Sequence, residues 1–266
     1  MYSINKKFKV KPSYIYHIGA TTYKIFTPVG NCDKSAEYKG NVKAASTKFW
    51  QDQVVIVKPN MLGLEMQRGV PVASVDQSKV NEFVEFKLQE ALTFDFGKIH
   101  HAIAFDLLFK LSENGLDIKL VKQSEKILER IVLPITSAHG DFHIENIIMI
   151  DTNIKVIDWS MFALRGSFVT DYIHFYNYKL AKTNRESWTR SILKEGEYID
   201  RLAQILGLSA TDLRLAYSLS RISGEIRQRK SLKYVTRNDI IKYNYVLKQL
   251  LNDSPKSIIQ CSDSSL

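Results

Sequence analysis

The chain has 266 residues, a formal net charge of +9, 45% hydrophobic and 24% charged residues; it is long enough to bury a core as one large domain or two lobes, and its composition argues against a disordered or fibrous chain. The two cysteines, Cys32 and Cys261, stand far apart without Cys-x-x-Cys or Cys/His ligand spacing, which argues against a disulfide framework or a structural zinc site and fits reduced thiols in the cytosol. The lysines are scattered, with no zinc-finger spacing or RNP-like motif, so the positive charge reads as a solvated surface and nucleic acid is not an expected partner.

The opening MYSINKKFKVKPSYIYHI carries lysines with no apolar stretch behind them, so no secretory leader is expected. No apolar run in the chain approaches the ~18 residues of a membrane span, and a soluble cytoplasmic protein is expected. Tyr14–Ile18 and Thr21–Phe26 are β-prone runs around a Gly19-Ala20 turn and read as a hairpin, stopped at Pro28 and Gly30. A helix is expected over 34–49, capped by Asp33 or Ser35, although Gly40 lies in its interior. Val54–Lys58 reads as a strand, Pro59-Asn60 as a turn, and Leu62–Met66 as its returning partner.

After Gly69 the pattern becomes helical. Helices are expected over 78–92, 98–113 (stopped by Asn114-Gly115), 122–131, 186–206, 210–228 and 238–251, and a frayed serine-rich tail from Ser254 to Leu266. The sequence therefore predicts an α+β, bilobal chain: a small β-rich lobe, then a larger and mainly helical one, joined near 66–70. A cleft between lobes is a favoured ligand site.

Residues 139–171 carry the chemistry. The stretch HGDFHIENIIM opens at His139, and NIKVIDWS follows from Asn153. Ile147–Ile150 and Ile154–Ile157 are short β-prone runs separated by the turn residues Asp151, Thr152 and Asn153. A hairpin there brings Asn146 and Asp158 together, a carbonyl oxygen beside a carboxylate. Magnesium prefers hard oxygen ligands and takes one or two carboxylates, with phosphate and water completing its shell. Asp141, five residues before Asn146, could accept the proton of a substrate hydroxyl. A base, metal ligands and a positioned phosphate are the parts of phosphoryl transfer.

This motif resembles the aminoglycoside phosphotransferase and choline kinase superfamily: His-Gly-Asp, four residues, Asn, and a second Asp after a hairpin. Asp158 lies twelve residues beyond Asn146. The later Arg165-Gly-Ser-Phe-Val-Thr-Asp171 matches a further family Asp at a helix start, and the whole stretch is similar to members found beside polysaccharide biosynthesis genes. The resemblance covers about an eighth of the chain. It implies a protein-kinase-like fold, with 1–66 as the nucleotide-binding lobe, 67–252 as the helical lobe carrying the catalytic loop and metal site, and 253–266 as a flexible tail. It implies ATP and Mg2+ as cofactors and a small-molecule hydroxyl acceptor: a sugar or glycan precursor, or alternatively an aminoglycoside or a choline-type amino alcohol. By matched position Asp141 would be the catalytic base, Asn146 and Asp158 the metal ligands, and Asp171 and His139 structural supports of the loop. A catalytically inactive pseudokinase scaffold is the rival on the same fold.

Kinase-like folds also set a strand lysine on the nucleotide phosphates and pair it with a helix glutamate. Lys24 and Glu37 are the candidates, with Lys43 or Lys58 competing for the lysine role; Glu65-Met66 is the candidate hinge whose backbone meets adenine. No Gly-x-Gly-x-x-Gly or Walker-type loop is present. His143 and Glu145 face either the acceptor or solvent. His100-His101 lacks further metal ligands in the sequence, the aromatic run Tyr172 to Tyr178 reads as core, and Arg221, Arg227 and Arg229 read as a solvated helix face.

Overall fold

The computed structural model describes residues 13–28, 31–72, 77–228 and 232–253. The opening twelve residues, Gly30, Arg229, Cys261 and the serine-rich tail lie outside the described residues. The fold is α+β, β-rich at the start and helical later.

The predicted hairpin forms as β1 (Ser13–Ile18) and β2 (Thr21–Phe26), in register from Ile18↔Thr21 to Ser13↔Phe26. Gly19 turns it with φ +57°, a left-handed conformation that costs glycine little. Helix α1 runs Asn31–Ala45. Strands β3 (Lys58–Pro59) and β4 (Gly63–Gln67) complete a four-stranded sheet in the order β1-β2-β4-β3. Gly63 is required at the β2–β4 crossing, because a Cβ there would lie 2.0 Å from the carbonyl oxygen of Lys24.

Val54–Lys58 is not the strand its β-prone sequence suggests. Lys58 pairs within this sheet, Val54 makes an isolated parallel bridge to Val156, and β4 bonds chiefly to β2. Residues 54–57 instead run extended between two cores: Val54 packs in the large one, Val55 and Val57 in the small one. Asn41 of α1 satisfies the unpaired backbone, its amide donating to Val55 O (2.7 Å) and its carbonyl accepting from Val57 N (3.2 Å). Glu65-Met66 likewise lies inside β4, not at a hinge, because the β2–β4 register continues to Thr21↔Gln67. The change of sheet falls at Arg68-Gly69, after which β5 (Val70–Pro71) joins β9 (Ile147–Ile150) and β10 (Asn153–Val156).

The helical part comprises α2 (Gln77–Ala91), α3 (Phe105–Ser112), α4 (Ile118–Leu128), α5 (Phe168–Asn184), α6 (Trp188–Ser191), α7 (Glu197–Leu206), α8 (Ala210–Gln228) and α9 (Arg237–Asp253). Two expected helices are broken. The 98–113 span opens with β6 (Phe96–Lys98), which pairs with β7 (Val132–Pro134), and passes through a 3-10 turn before α3. The 186–206 span splits at Gly196, which caps α7 in an extended conformation. Two further strands, β8 (Thr136–Ala138) and β11 (Ala163–Gly166), bracket the catalytic segment.

Beneath that segment lies an aromatic cluster. Trp50 packs edge-on to Trp159 (5.3 Å between centroids) and tilted against Phe142 (5.7 Å), while Phe168 meets both Trp50 and Phe142. Both indoles are fully buried and hydrogen-bonded, Trp50 Nε1 to Ser137 O and Trp159 Nε1 to Val156 O, each at 3.1 Å, as buried tryptophans require. Lys87 of α2 is buried against the same layer, its ammonium over the Phe49 ring and 2.7 Å from Glu90.

Gly40 has a packing purpose that its low helix propensity hides. A Cβ there would stand 1.9 Å from the backbone oxygen of Trp159, so α1 approaches the Asp158-Trp159 turn only through this glycine. Alanine is the better helix former by about 1 kcal/mol, yet Gly40→Ala is expected to lose a net ~1–3 kcal/mol through overpacking. Urea unfolding of the variant measures it; stability equal to or above wild type would contradict the close approach.

Candidate functional site

Three chain segments converge on a cleft of about 360 Å3: β2 with α1, the 66–71 crossover, and the β9–β10 hairpin. That volume is within the range of small-molecule sites. Its apolar floor includes Met66, Ile148 and Ile157, and its polar end carries Lys24, Glu37, Asn146 and Asp158. Glu65 is absent from the lining, whereas His17, Thr22, Gln67 and Arg68 join it.

The hairpin builds the polar end. Its ladder runs from Asn153↔Ile150 to Val156↔Ile147, and Ile157 N donates to Asn146 O at 3.0 Å, which sets Asn146 opposite Asp158. Asp158 takes the left-handed conformation, φ 63°, uncommon outside glycine and asparagine. Asn146 donates its amide to Asp141 O at 2.9 Å, so its Oδ1 remains as an acceptor.

Lys24 reaches across from β2. Its ammonium lies 2.6 Å from Glu37 Oε2 and 3.0 Å from Asp158 Oδ2. Of the competing lysines, Lys58 is exposed on β3 and Lys43 sits near the far end of α1. Burial alone would lower the Lys24 ammonium, but the two carboxylates outweigh it and hold its pKa above the ordinary value. Burial, aided by Asp158, pushes Glu37 up to about 7 against the pull of Lys24. One cation faces two carboxylates, so the ionised triad carries a net negative charge. Together with the Asn146 oxygen, this is a donor set that suits a hard dication bound with phosphate.

The His139–Asp141 turn is fixed from below. Asp171, in the first turn of α5, accepts from His139 N (2.6 Å) and Gly140 N (2.8 Å). Burial pushes its carboxyl up to about 7 against those two bonds. His139 is fully buried and accepts from Asp141 N at Nδ1 (3.2 Å), so Nε2 carries the proton donated to Ile157 O (2.9 Å). Burial lowers its pKa and keeps the ring neutral. Gly140 has φ +84°, and a Cβ would meet Met161 O at 2.6 Å.

Asp141 has neighbours that the sequence did not suggest. Its Oδ1 accepts from Arg221 Nη1 (2.6 Å) and His174 Nε2 (3.2 Å), while His143 Nε2 stands 3.6 Å from Oδ2. Arg221 was expected on a solvated face; its side chain is only 14% exposed and also bonds Gly140 O (2.8 Å) and Glu225 (2.9 Å). Glu225 in turn accepts from Trp188 Nε1 (3.1 Å) and Tyr243 OH. His174 accepts at Nδ1 from Tyr217 OH (2.9 Å), and burial, then Arg221, lower its pKa to about 4. Burial would raise the Asp141 carboxyl, but Arg221 and the two histidines outweigh it and hold it well below the ordinary range.

The aromatic run is partly core, as expected for Tyr172 and Phe175. His174 reaches the site from it, and Tyr178 stacks on His143 with 4.0 Å between centroids. Glu145 is held by Tyr178 OH (2.7 Å) and Lys182. His100 bonds Glu125 at 3.4 Å and stacks on Phe105.

Glu37 offers a pH test. Its folded pKa of about 7 exceeds the ordinary value near 4.3, so between them the folded state binds more protons and stability falls as pH rises. Wild type is therefore expected to lose about 1–3 kcal/mol relative to Glu37→Gln between pH 4.5 and 7.5. Asp141 and Asp158, with lowered pKa values, stay ionised in both states across that window. Urea unfolding of the pair at several pH values reads the difference; a pH-independent gap would contradict the raised carboxyl.

No family model matches the chain, and no curated protein matches it. Among solved structures, a candidate fructosamine-3-kinase from Haemophilus somnus 129PT superposes with a TM-score of 0.52 at 16% identity, over 87% of this chain and 83% of that one. A thermostable mutant of aminoglycoside phosphotransferase APH(4)-Ia, in complex with ADP and hygromycin B, gives 0.49 at 15% identity, over 91% and 94%. A choline/ethanolamine kinase family protein from Mesorhizobium loti gives 0.43 at 15%, over 90% of each chain. No helix among the described residues is long and apolar enough to cross a membrane. The chain is thus built on the kinase-like fold that it shares with the Haemophilus somnus protein.

Proposed function

We propose that the protein is an ATP- and magnesium-dependent phosphotransferase that moves the γ-phosphate to a hydroxyl of a small molecule. The observation that carries this reading is Lys24, bonded at once to Glu37 and Asp158, with Asn146 beside them and Asp141 on the same loop. In this reading the β-rich lobe, 1–66, binds the nucleotide, and the 67–252 part supplies the catalytic loop. Lys24 moves onto the nucleotide phosphates, and Glu37 keeps it oriented. The Asn146 and Asp158 oxygens would hold magnesium, which when bound would supply charge neutralisation on the phosphate.

Asp141 orients the acceptor. Its Oδ1 is taken by Arg221 and His174, so Oδ2 is the atom left for the substrate hydroxyl. The hydroxyl oxygen bonds to the γ-phosphorus as the bond to the bridging oxygen breaks. ADP departs, and the hydroxyl proton passes by way of Oδ2. A carboxylate held so far below its ordinary pKa is a weak base. Its contribution is then chiefly alignment, which suits a transition state in which the acceptor proton is lost late.

Charge favours a sugar or glycan precursor over an aminoglycoside or a choline-type amino alcohol. Arg221 and Lys182 are offset by Asp141, Glu225 and Glu145, but Lys179 adds a cation to the recess beside Ile144. A polycationic acceptor would meet that side chain unfavourably. The inactive-scaffold alternative finds no support in an assembled Lys24, Glu37, Asp158 and Asn146 set.

Calorimetry with a non-hydrolysable ATP analogue tests the nucleotide site. Magnesium-dependent binding is expected in wild type and in Asp141→Asn, with the magnesium dependence lost in Asp158→Asn; no binding to wild type would overturn the proposal. In an ATP-consumption assay over a panel of sugars, Asp141→Asn is expected to lower turnover by ~10²–10⁴-fold. Arg221→Met leaves burial unopposed by the cation, so the Asp141 pKa rises. The acid limb of the pH–rate profile should move upward, and Arg221→Lys should largely restore it. An unchanged limb in Arg221→Met would remove Asp141 as the titrating group.

A further inference from the structure

A second recess, of about 180 Å3, opens between α1 and α8, apart from the cleft that holds Lys24. Lys39 and Lys43 enter it from α1 and Arg227 from α8, and its floor is the Trp159–Phe162 segment that follows Asp158. No carboxylate lines it. Among the described residues, none of these three cations has a salt bridge or a side-chain hydrogen bond, whereas Lys24, Lys87 and Arg221 are all paired. All three side chains stand exposed at its rim, and no acidic neighbour offsets the Arg227 guanidinium. In the same wall the Gln228 amide donates to Ser160 Oγ at 3.0 Å, and its second N–H adds a neutral donor.

We propose that this recess is a binding site for a phosphate-type dianion, either free or as the phosphoryl group of a larger ligand. Three like charges around one small concavity repel one another when it is empty, and a compact dianion converts that repulsion into charge-assisted hydrogen bonds. Arginine and lysine are the side chains such anions select, the guanidinium by its planar fork and the ammonium as a point charge. Carboxylate-bearing or cationic ligands fit less well: the former present a single negative charge, and the latter would add to the repulsion.

The position has a consequence for the cleft. Lys39 and Lys43 follow Glu37 on α1, and Gly40 between them rests on the Trp159 carbonyl. An anion tying the two lysines to Arg227 braces α1 against α8 and so steadies Glu37 beside Lys24 and Asp158. Arg227 follows Arg221 by six residues, about 9 Å along the helix.

Inorganic phosphate is the probe. Wild-type protein is expected to melt higher in phosphate than in chloride at equal ionic strength. The backbone amide resonances of Gly40, Ser160 and Gly224 are expected to titrate together with a single Kd. Arg227→Gln and Lys43→Gln should each weaken that Kd on the order of ten-fold or more. Neither should melt lower than wild type in chloride, since each removes repulsion. The proposal is overturned if phosphate stabilises no more than chloride, if those three amides stay still while cleft amides move, or if both variants keep the wild-type Kd. A hexose 6-phosphate titrated in parallel separates the sources: binding tighter than phosphate, with the excess lost in Arg227→Gln, assigns the ester, and equal binding assigns the free anion. None of these readouts uses turnover, so they stand apart from the test of phosphoryl transfer.

Discussion

The site depends on one carboxylate that touches no substrate. Asp171 takes the N–H groups of His139 and Gly140, each within 2.8 Å, and so fixes the backbone where the chain turns from β8 into the catalytic loop. Asp141, the His139 ring and the Asn146 amide all take their places from that turn. Two buried donors would otherwise lack partners, at a cost of about 1–3 kcal/mol each. The aromatic layer below, with Trp50, Phe142, Trp159 and Phe168, supplies the stiffness, because close-packed rings leave the loop no room to sink. Function and stability therefore meet at the start of α5.

Above the loop, the balance of charge decides the rest. Lys24 alone links β2, α1 and the Asp158 turn, and its two carboxylate partners exceed it in charge. Asp141 is the converse: it is surrounded by Arg221, His174 and His143, with Glu225 backing the arginine. The cleft thus carries an electronegative end that suits a dication, and on the same loop Asp141 stays ionised beside its cations. Each buried ion in it has a partner, as low-dielectric surroundings require.

Much of the site was legible in the sequence because its parts are local. The β-prone runs on either side of Asp151-Thr152 place Asn146 beside Asp158, and both ends of that hairpin lie within the quoted motif. Lys24 and Glu37 were readable as a strand lysine followed by a helix glutamate. Arg221 and His174 were not, since their contact with Asp141 bridges about eighty and thirty residues and no periodicity reveals which helix crosses the loop. Val54–Lys58 misled for a physical reason: β-branched residues favour an extended backbone, but not a particular partner for it. Here the partner is the Asn41 side chain. Gly40 misled in the opposite sense, since the scale that penalises it in helices knows nothing of the Trp159 carbonyl.

The buried face of α1 is made of Glu37, Gly40, Asn41 and Ala44, with Tyr38 and Ala45 packed at its edges against the two cores. Such a helix is held by close approach and by directed polar bonds, which fail abruptly with distance. The element that carries the lysine's partner is therefore placed with little tolerance, and a disturbance at Gly40 or Asn41 reaches Glu37 within about one turn of helix.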